Sequence, residues 1–325
     1  MDAGRLMLAH LVRRLLINAA VFLLISVGVF LLVRAAPGDP VLMMVNPEHL
    51  ASGGPAFVAA KRAELGLDQP VLVRYGIWLR EALSGDLGYS FVSRRPVAEV
   101  LGERMGPTVL LMSTALAIGL ALAVAAGTLA ATRRNTAIDY ATTVAGLGTI
   151  SVPSFFLGIA AIYLFSLKLG WVPSSGMSTP GDGGGADILA HLVLPSAILG
   201  LSIAGPFTRY VRAGLLAELG ADYVRTAEAK GAGPGRVLTR HALRNALVPL
   251  ITVVMIYIPQ LLAGAVALEQ VFAWPGMGQL AVSSIGQLDH PVVIGFAMFV
   301  AVLVLVCNLA ADLLNAVADP RIGLS

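Results

Sequence analysis

Six long apolar segments dominate this sequence and determine what kind of fold the chain can adopt. At about 1.5 Å per helical residue, each is long enough to cross the roughly 30 Å hydrocarbon layer of a membrane. Backbone N–H and C=O groups find no partner in lipid, so each segment is predicted to be an α-helix. The segments are residues 15–33, 108–131, 140–167, 192–211, 246–268 and 292–316.

The composition supports a membrane protein rather than a soluble one. Of the 325 residues, 57% are hydrophobic and only 13% are charged, whereas soluble domains carry about 25% charged residues. The net charge is only +3, and the basic residues form no run interleaved with aromatic ones, so nucleic-acid binding has little support. We therefore predict an all-α integral membrane protein with about six transmembrane helices.

Two of the six segments carry further information. Arg5, Arg13 and Arg14 precede the first, which is longer than the apolar region of a signal peptide and is followed by no small-residue cleavage site. We expect it to be retained as the first helix. The third segment contains Pro153, which predicts a tilt or kink at that point.

Lysine and arginine in the loops predict the orientation of the chain, because cytoplasmic loops carry an excess of both. Loops 170–191 and 269–291 contain neither residue, whereas the loops on the other side are basic. Both termini are therefore predicted to be cytoplasmic. The basic residues on the cytoplasmic side are Arg5, Arg13, Arg14, Arg133, Arg134, Arg209, Arg212, Arg225, Lys230, Arg236, Arg240, Arg244 and Arg321.

The spans divide the chain into four predicted parts. Residues 1–33 contain the N-terminal end and the first helix, and 34–107 form an extracytoplasmic segment. Residues 108–316 form a five-helix core that includes a cytoplasmic loop at 213–245, and 317–325 form a cytoplasmic tail. The extracytoplasmic segment is either a structural cap on the outer mouth or a docking surface for an external partner, and the two roles are compatible.

Proline and glycine signals predict that this outer segment is folded. Its eight basic residues are balanced by eight acidic ones, so it escapes the positive-inside bias as long translocated segments do. The predicted elements are a helix at 55–65 closed by Gly66, a helix at 70–84, a strand-like piece at 89–92 and a third helix opening at Pro96. The second helix presents one apolar face, made of Val71, Tyr75, Trp78, Leu79 and Ala82.

The sequence contains no recognisable catalytic or metal-binding motif. None of its lysines stands in a glycine-rich phosphate-binding loop, and no Gly-x-Ser-x-Gly nucleophile motif occurs. The five histidines show no pair at metal-ligand spacing, and the single cysteine, Cys307, allows no intramolecular disulfide. We predict that the chain is not an enzyme and has no catalytic residue, metal or cofactor of its own. Its carboxylates also avoid the middle of the spans, which weakens the case for an ion-coupled carrier.

The stretch between the fourth and fifth spans is the most informative. Asp222 is predicted to cap a short helix over residues 223–230, which Gly231 ends, and a second helix follows the Gly233-Pro234-Gly235 turn. Small residues and flanking cations on the short helix suit two roles. The helix either receives another protein at close range or lies on anionic lipid, and the residues alone leave both open.

Two motifs in this stretch resemble those of a known family. Residues 222–231 read Asp-Tyr-Val-Arg-Thr-Ala-Glu-Ala-Lys-Gly, and residues 241–249 read His-Ala-Leu-Arg-Asn-Ala-Leu-Val-Pro. The pair resembles the cytoplasmic EAA loop of permease subunits in bacterial binding-protein-dependent ABC importers, in the form typical of the dipeptide/oligopeptide branch. In that family the short helix docks into a groove of the ATPase subunit. Arg225 stands in place of the glutamate that names the loop, as is common in the peptide branch.

The resemblance extends over nearly the whole chain and points to the B-type permease, which carries a long outer segment after its first span. Any one of the additional motifs is weak, but together and in order they are specific. They are Pro37-Gly38-Asp39-Pro40, Gly66-Leu67-Asp68-Gln69-Pro70, Tyr75, Trp78, Leu79, Gly85-Asp86-Leu87-Gly88, Ser90, Pro96-Val97, Pro107-Thr108, Glu269, Val271-Phe272, Pro275-Gly276-Met277-Gly278, Asp289, Pro291 and Asp319-Pro320-Arg321-Ile322.

The resemblance implies an importer built from several subunits. This chain would form the translocation path for dipeptides or oligopeptides with a second homologous permease, above one or two ATPase subunits that bind ATP and magnesium. An extracytoplasmic solute-binding protein would deliver the solute. The residues implied in coupling to the ATPase are Arg225, Thr226, Ala227, Glu228, Ala229, Lys230 and Gly231.

Some alternatives stay open at this point. Gln260 and Asn308 are candidates for lining the translocation path, although polar residues in spans also act as interhelical glue. The solute could instead be a nickel chelate or an oligosaccharide, since members of this branch carry both. An ion-gradient-driven secondary transporter and a membrane scaffold without transport activity are the alternatives from other classes.

Overall fold

The computed structural model describes residues 3–35, 47–64 and 68–318, which form helices and the loops between them, with no β-sheet. The all-α fold predicted from the apolar segments is therefore confirmed. The helices are α1 (Ala3–Ala35), α2 (Pro47–Glu64), α3 (Val71–Leu83), α4 (Val97–Thr132), α5 (Ala137–Ser151), α6 (Ser154–Lys168), α7 (Gly185–Leu219), α8 (Asp222–Ala229), α9 (Pro234–Val271), α10 (Met277–Gly286) and α11 (His290–Ala318).

The membrane spans agree with the predicted apolar segments. Helices α1, α4, α7, α9 and α11 are each long and apolar enough to cross a membrane, and α5 with α6 makes a sixth candidate if the bent pair counts as one span. That pair bends by 95°, which confirms the kink predicted at Pro153. The cause is local: Val152 has extended dihedrals (φ −107°, ψ 125°) because a residue before proline is driven out of the helical region.

Some predicted features lie outside the described residues. They include the motifs at 37–40 and 319–322 and the helix-closing Gly66. Helix α2 contains the predicted helix from Pro55 onward, but it begins earlier, at Pro47, and breaks at Gly54 (φ 56°, ψ −163°).

Two compact units make up the described chain. The first consists of residues 1–106 and 280–305, and in it α3 packs on α1. The ring of Phe30 lies 5.6 Å from that of Tyr75 and 5.9 Å from that of Trp78, and the Ser26 and Tyr75 hydroxyls are hydrogen-bonded at 2.7 Å. The predicted apolar face of α3 is therefore confirmed. All five of its members are half-buried: Val71, Tyr75, Trp78, Leu79 and Ala82.

The strand predicted at 89–92 is wrong. A single bridge pairs Tyr89 with Pro96, and the residues between them form a turn. The buried carboxylate of Asp289 takes the place of a partner strand, since it accepts hydrogen bonds from the Ser90 hydroxyl (2.5 Å) and the Phe91 backbone N–H (2.9 Å). A side chain almost 200 positions away therefore decides this local structure.

The third helix of the outer segment and the second span are one continuous helix, α4, and not the two that the sequence predicted. Pro107 lies inside it and removes one backbone donor. In a 36-residue helix the remaining hydrogen bonds hold the axis through that position. Pro107, which the sequence suggests is a helix boundary, thus lies inside a helix.

The second unit, residues 107–279 and 306–325, is built around α7. In the most apolar window of α7, 61% of the residues are buried, against 22% in α4 and in α9, so α7 is the central helix. Glycines let its neighbours approach closely. A Cβ on Gly119 of α4 would lie 2.8 Å from the Gly200 carbonyl oxygen of α7, and one on Gly205 of α7 would collide with Thr149 and Gly146 of α5.

We expect the Gly205→Ala substitution to destabilise the crossing of α5 and α7. The added methyl group overlaps backbone and side-chain atoms, and overpacking of this kind costs about 1–3 kcal/mol. The midpoint of thermal unfolding in detergent should fall by about 2–4 °C for each kcal/mol. Gly148→Ala is the matched control, because a Cβ on Gly148 of α5 meets nothing within 4 Å. Equal midpoints for the two variants would contradict the close approach.

Candidate functional site

Helix α8 forms the candidate site, and its first turn differs slightly from the prediction. Asp222 is the first helical residue and not the cap, which is Ala221 in an extended conformation (φ −75°, ψ 150°). The Asp222 carboxylate stabilises the helix from inside the first turn, where it faces the positive end of the helix dipole. It also lies 3.6 Å from the guanidinium of Arg225, and both side chains are largely exposed.

The end of α8 is a Schellman motif. The N–H of Gly231 donates to the carbonyl of Glu228 (2.9 Å), and the N–H of Ala232 donates to that of Ala227 (3.0 Å). Gly231 has φ +84°, a left-handed conformation that glycine adopts without steric cost. The prediction that Gly231 ends the helix is confirmed, and the motif fixes where the chain leaves α8.

One face of α8 packs on the chain and the other is open. Val224 is 2% exposed and anchors the helix, which packs against a π-helical turn, Val237–Ala242, near the start of α9. Ala227 is half-buried on the same side, although the sequence suggested that it faces outward. The other six residues expected to couple to an ATPase are exposed: Arg225, Thr226, Glu228, Ala229, Lys230 and Gly231.

Tyr223 connects α8 to the helices on both sides of it. Its hydroxyl donates a hydrogen bond to the Glu218 carboxylate in the last turn of α7, and it accepts one from Nδ2 of Asn245 in α9 at 3.1 Å. Burial, and then the bond to Glu218, raise the pKa of Tyr223 above its usual value. The hydroxyl therefore keeps its proton at neutral pH and remains a donor. The sequence placed Tyr223 and Asn245 in family motifs but assigned neither a role.

Small side chains hold the helix ends around α8 together. Ala131 of α4, Leu215 of α7, and Ala242 and Ala246 of α9 form one buried cluster. Each is at most 6% exposed, so the three helices touch at these positions with little space between them. Ala242 belongs to the π-helical turn on which α8 packs, so that turn is itself packed against neighbouring helices.

An ion pair that the sequence did not predict joins α5 to α7. Asp139 accepts from Nε of Arg212 at 2.6 Å and from Nη2 at 2.7 Å, and it also accepts from the Asn135 backbone N–H at 3.0 Å. Paired donors of this kind fix the angle between two groups as well as their distance. The sequence showed Asp139 only as a residue at a span boundary, since its partner lies 73 positions away.

A second unpredicted network surrounds Glu269, which is fully buried near the end of α9. Its carboxylate accepts hydrogen bonds from the Thr108 hydroxyl (2.6 Å) and from the N–H groups of Gly278 (2.7 Å) and Gln279 (3.0 Å). A Cβ on Gly276 would collide with the same carboxylate. Residues from three separate family motifs therefore meet at one buried carboxylate. The presence of all three motifs in the sequence was the signal that could have predicted this network.

The two path candidates are exposed polar residues. Gln260 lies on α9 and Asn308 on α11, and neither side chain makes a hydrogen bond within the described ranges. Their assignment to a translocation path stays a prediction. Across residues 3–35, 47–64 and 68–318, no group of three or more His, Cys, Asp or Glu side chains could hold a metal ion.

Comparison with known proteins identifies the family. Residues 123–324 match the model of the binding-protein-dependent transport system inner membrane component, and residues 7–112 match that of the N-terminal region of such membrane components. The chain is 40% identical to a putative peptide permease protein of Brucella suis biovar 1 and 38% identical to an oligopeptide transport system permease protein of Bacillus subtilis, in each case over 97% of this chain and 99% of the relative. It is 37% identical to a glutathione transport system permease protein of Escherichia coli K12, with the same coverage.

These matches cover the whole length of the relatives and agree with the observed helices. They support a role in an ABC importer and not in an ion-gradient-driven carrier. The family is that of the permease, a multi-pass inner-membrane subunit distinct from the ATPase. The chain therefore belongs to the binding-protein-dependent transport system inner membrane components, as a permease of the dipeptide/oligopeptide ABC importer family.

Proposed function

We propose that this permease imports peptides and that α8 is the element through which ATPase subunits drive it. The observation that carries the proposal is the form of α8: a short helix with a fixed end, packed on one face and exposed on the other. It lies within residues 123–324, the part that matches the transport family. The coupling residues are Arg225, Thr226, Ala227, Glu228, Ala229, Lys230 and Gly231.

The exposed face of α8 suits a protein partner better than lipid. It carries both signs of charge, on Arg225, Glu228 and Lys230, and the small side chain of Ala229 lies among them. Ala229 leaves room for another backbone, and the charges can pair with groups on a partner. A helix that lies on lipid would instead present a broad apolar face, and the one fully buried apolar residue of α8, Val224, faces its own chain.

The proposed assembly follows from the family. This chain forms a heterodimer with a second homologous permease, above one or two ATPase subunits that bind ATP and magnesium, and an extracytoplasmic solute-binding protein delivers the solute. Both termini and α8 face the cytoplasm, because Lys and Arg concentrate on that side. This chain itself holds no cofactor.

Peptides are the solutes that the relatives favour. Those described above are named as peptide, oligopeptide and glutathione permeases, and glutathione is itself a tripeptide. Nickel chelates and oligosaccharides are the other solutes to test. Gln260 and Asn308 would line the path, where exposed amide groups can exchange hydrogen bonds with a passing peptide backbone.

Purification of the tagged chain in mild detergent, with mass spectrometry of the co-eluting proteins, tests this proposal. We expect a second permease, one or two phosphate-loop ATPases and a solute-binding protein. Labelled di- to pentapeptides, glutathione, a nickel–histidine chelate and an oligosaccharide, each offered to the recovered binding protein, then identify the solute class. Elution of the chain alone in several mild detergents would contradict the assembly.

We expect Ala229→Trp to reduce ATPase recovery strongly. The indole ring fills the space that a partner backbone would occupy, and a clash at the centre of an interface costs about 2 kcal/mol or more. Recovery of the ATPase with the tagged chain should fall by about tenfold or more. Ala217→Trp, at an exposed position in the last turn of α7, is the matched control. Equal recovery with both variants would exclude Ala229 from the docking face.

We expect Gly231→Ala to loosen the end of α8. A Cβ at φ +84° costs about 1–2 kcal/mol, which favours unravelling of the last turn by about tenfold. In inside-out membrane vesicles, trypsin should therefore cleave after Lys230 about tenfold faster. Gly235→Ala is the control. Gly235 is not in a left-handed conformation, and a Cβ there would meet nothing within 4 Å. Similar cleavage rates would show that Gly231 does not hold this end.

A further inference from the structure

Two short connections that contain glycine join α8 to its neighbouring helices. Gly220 and Ala221 separate it from α7, and Lys230, Gly231, Ala232 and Gly233 separate it from α9. Three of these six residues are glycine, the residue with the least restricted backbone, so side-chain contacts add to the link between α8 and the two helices. Val224 packs against the chain next to α8. Besides that packing, the side-chain links between α8 and the two helices in the described part of the chain are the two hydrogen bonds of the Tyr223 hydroxyl.

The Tyr223 hydroxyl has one hydrogen-bond partner on each of the two helices. The Tyr223 hydroxyl is a donor to Glu218 of α7 and an acceptor from Asn245 of α9, so one oxygen atom serves both. The two partners lie 5 residues before Tyr223 and 22 residues after it. Glu218 lies in the last turn of α7, and Asn245 lies in the first third of α9. A displacement of α8 therefore pulls on both helices at once.

We propose that Tyr223 is a positioning residue that transmits the movement of α8 to α7 and α9 through the paired hydrogen bonds of its hydroxyl to Glu218 and Asn245. The inference rests on the proposed role of α8 as the ATPase-driven element. It goes further in assigning transmission to a side chain outside the exposed docking face. Docking and transmission are thus separate properties of α8, and different residues carry them.

The arrangement predicts a distinctive defect. Tyr223→Phe removes both hydrogen bonds and keeps the ring, so α8 still folds and still binds the ATPase. Part of its movement then no longer reaches α7 and α9, and more ATP is consumed for each peptide imported. Because a net hydrogen bond is worth about 0.5–1.5 kcal/mol, we expect this ratio to rise about threefold to tenfold.

The experiment uses the whole complex, purified through the tagged chain and reconstituted in liposomes with its binding protein. Import of a radiolabelled mixture of di- to pentapeptides and ATP hydrolysis are measured in the same sample. Tyr210→Phe is the matched control, because Tyr210 lies on α7, is exposed and makes no hydrogen bond within the described ranges. Transmission is supported if Tyr223→Phe raises the ratio of ATP hydrolysed to peptide imported and the ATPase is still recovered normally. Tyr210→Phe should leave that ratio at the wild-type value.

Partner variants separate transmission from simple stabilisation. Glu218→Gln keeps an acceptor and should retain the normal ratio, whereas Glu218→Ala and Asn245→Ala each break one link and should raise it. Combining Asn245→Ala with Tyr223→Phe should add nothing, because both act through the same hydroxyl. A defect that follows thermal stability across these variants, or additive effects in the double variant, would overturn the proposal.

The outcomes also separate this proposal from the one on which it rests. If the wild-type complex contains no ATPase or imports no peptide with ATP, the proposed function fails. If the wild type couples ATP hydrolysis to import and Tyr223→Phe matches it, the proposed function stands and the role of Tyr223 is excluded.

Discussion

The absence of hydrogen-bonding partners in lipid is the constraint on which this structure depends. It requires the spans to be helices, and it leaves polar groups to be satisfied where helices end or meet. The buried carboxylate of Glu269 with its three donors and the pairing of Asp139 with Arg212 satisfy that requirement. Between these points the helices pack through glycine, as at Gly119 and Gly205. Apolar spans therefore provide the scaffold, and a few polar links fix its angles.

The same constraint explains how movement can pass through the second unit. Buried polar networks resist deformation because breaking one leaves an unpaired charge, which is expensive in a low dielectric. The glycine-containing connections around α8 lie outside the apolar spans. A force applied to α8 would then act on helix ends that move as packed groups. The cluster of Ala131, Leu215, Ala242 and Ala246 is such a group, and Ala242 belongs to the π-helical turn on which α8 packs.

Much of the fold could be predicted because its signals are local. The apolar segments gave the spans, Pro153 gave the kink, and Gly231 gave the end of α8. The amphipathic face of α3 also followed from spacing alone. The missed features depend on distant partners. Asp289 binds residues that resembled a strand and holds them in a turn. The carboxylate of Glu269 requires hydrogen-bond donors from two other parts of the chain. The docking residues came from a resemblance and not from geometry, since an exposed helix alone does not identify its partner.

Photo-crosslinking from α8 tests the central claim most directly. The chain has one cysteine, Cys307, which is buried, so a Cys307→Ser background leaves an added cysteine as the only attachment point. A benzophenone probe is attached to an Ala229→Cys variant in native membranes and, as a control, to a Ser174→Cys variant in the loop predicted to face outward. The account predicts an ATPase adduct from position 229 and none from position 174. No ATPase adduct from position 229, or adducts of equal yield from both positions, would contradict it.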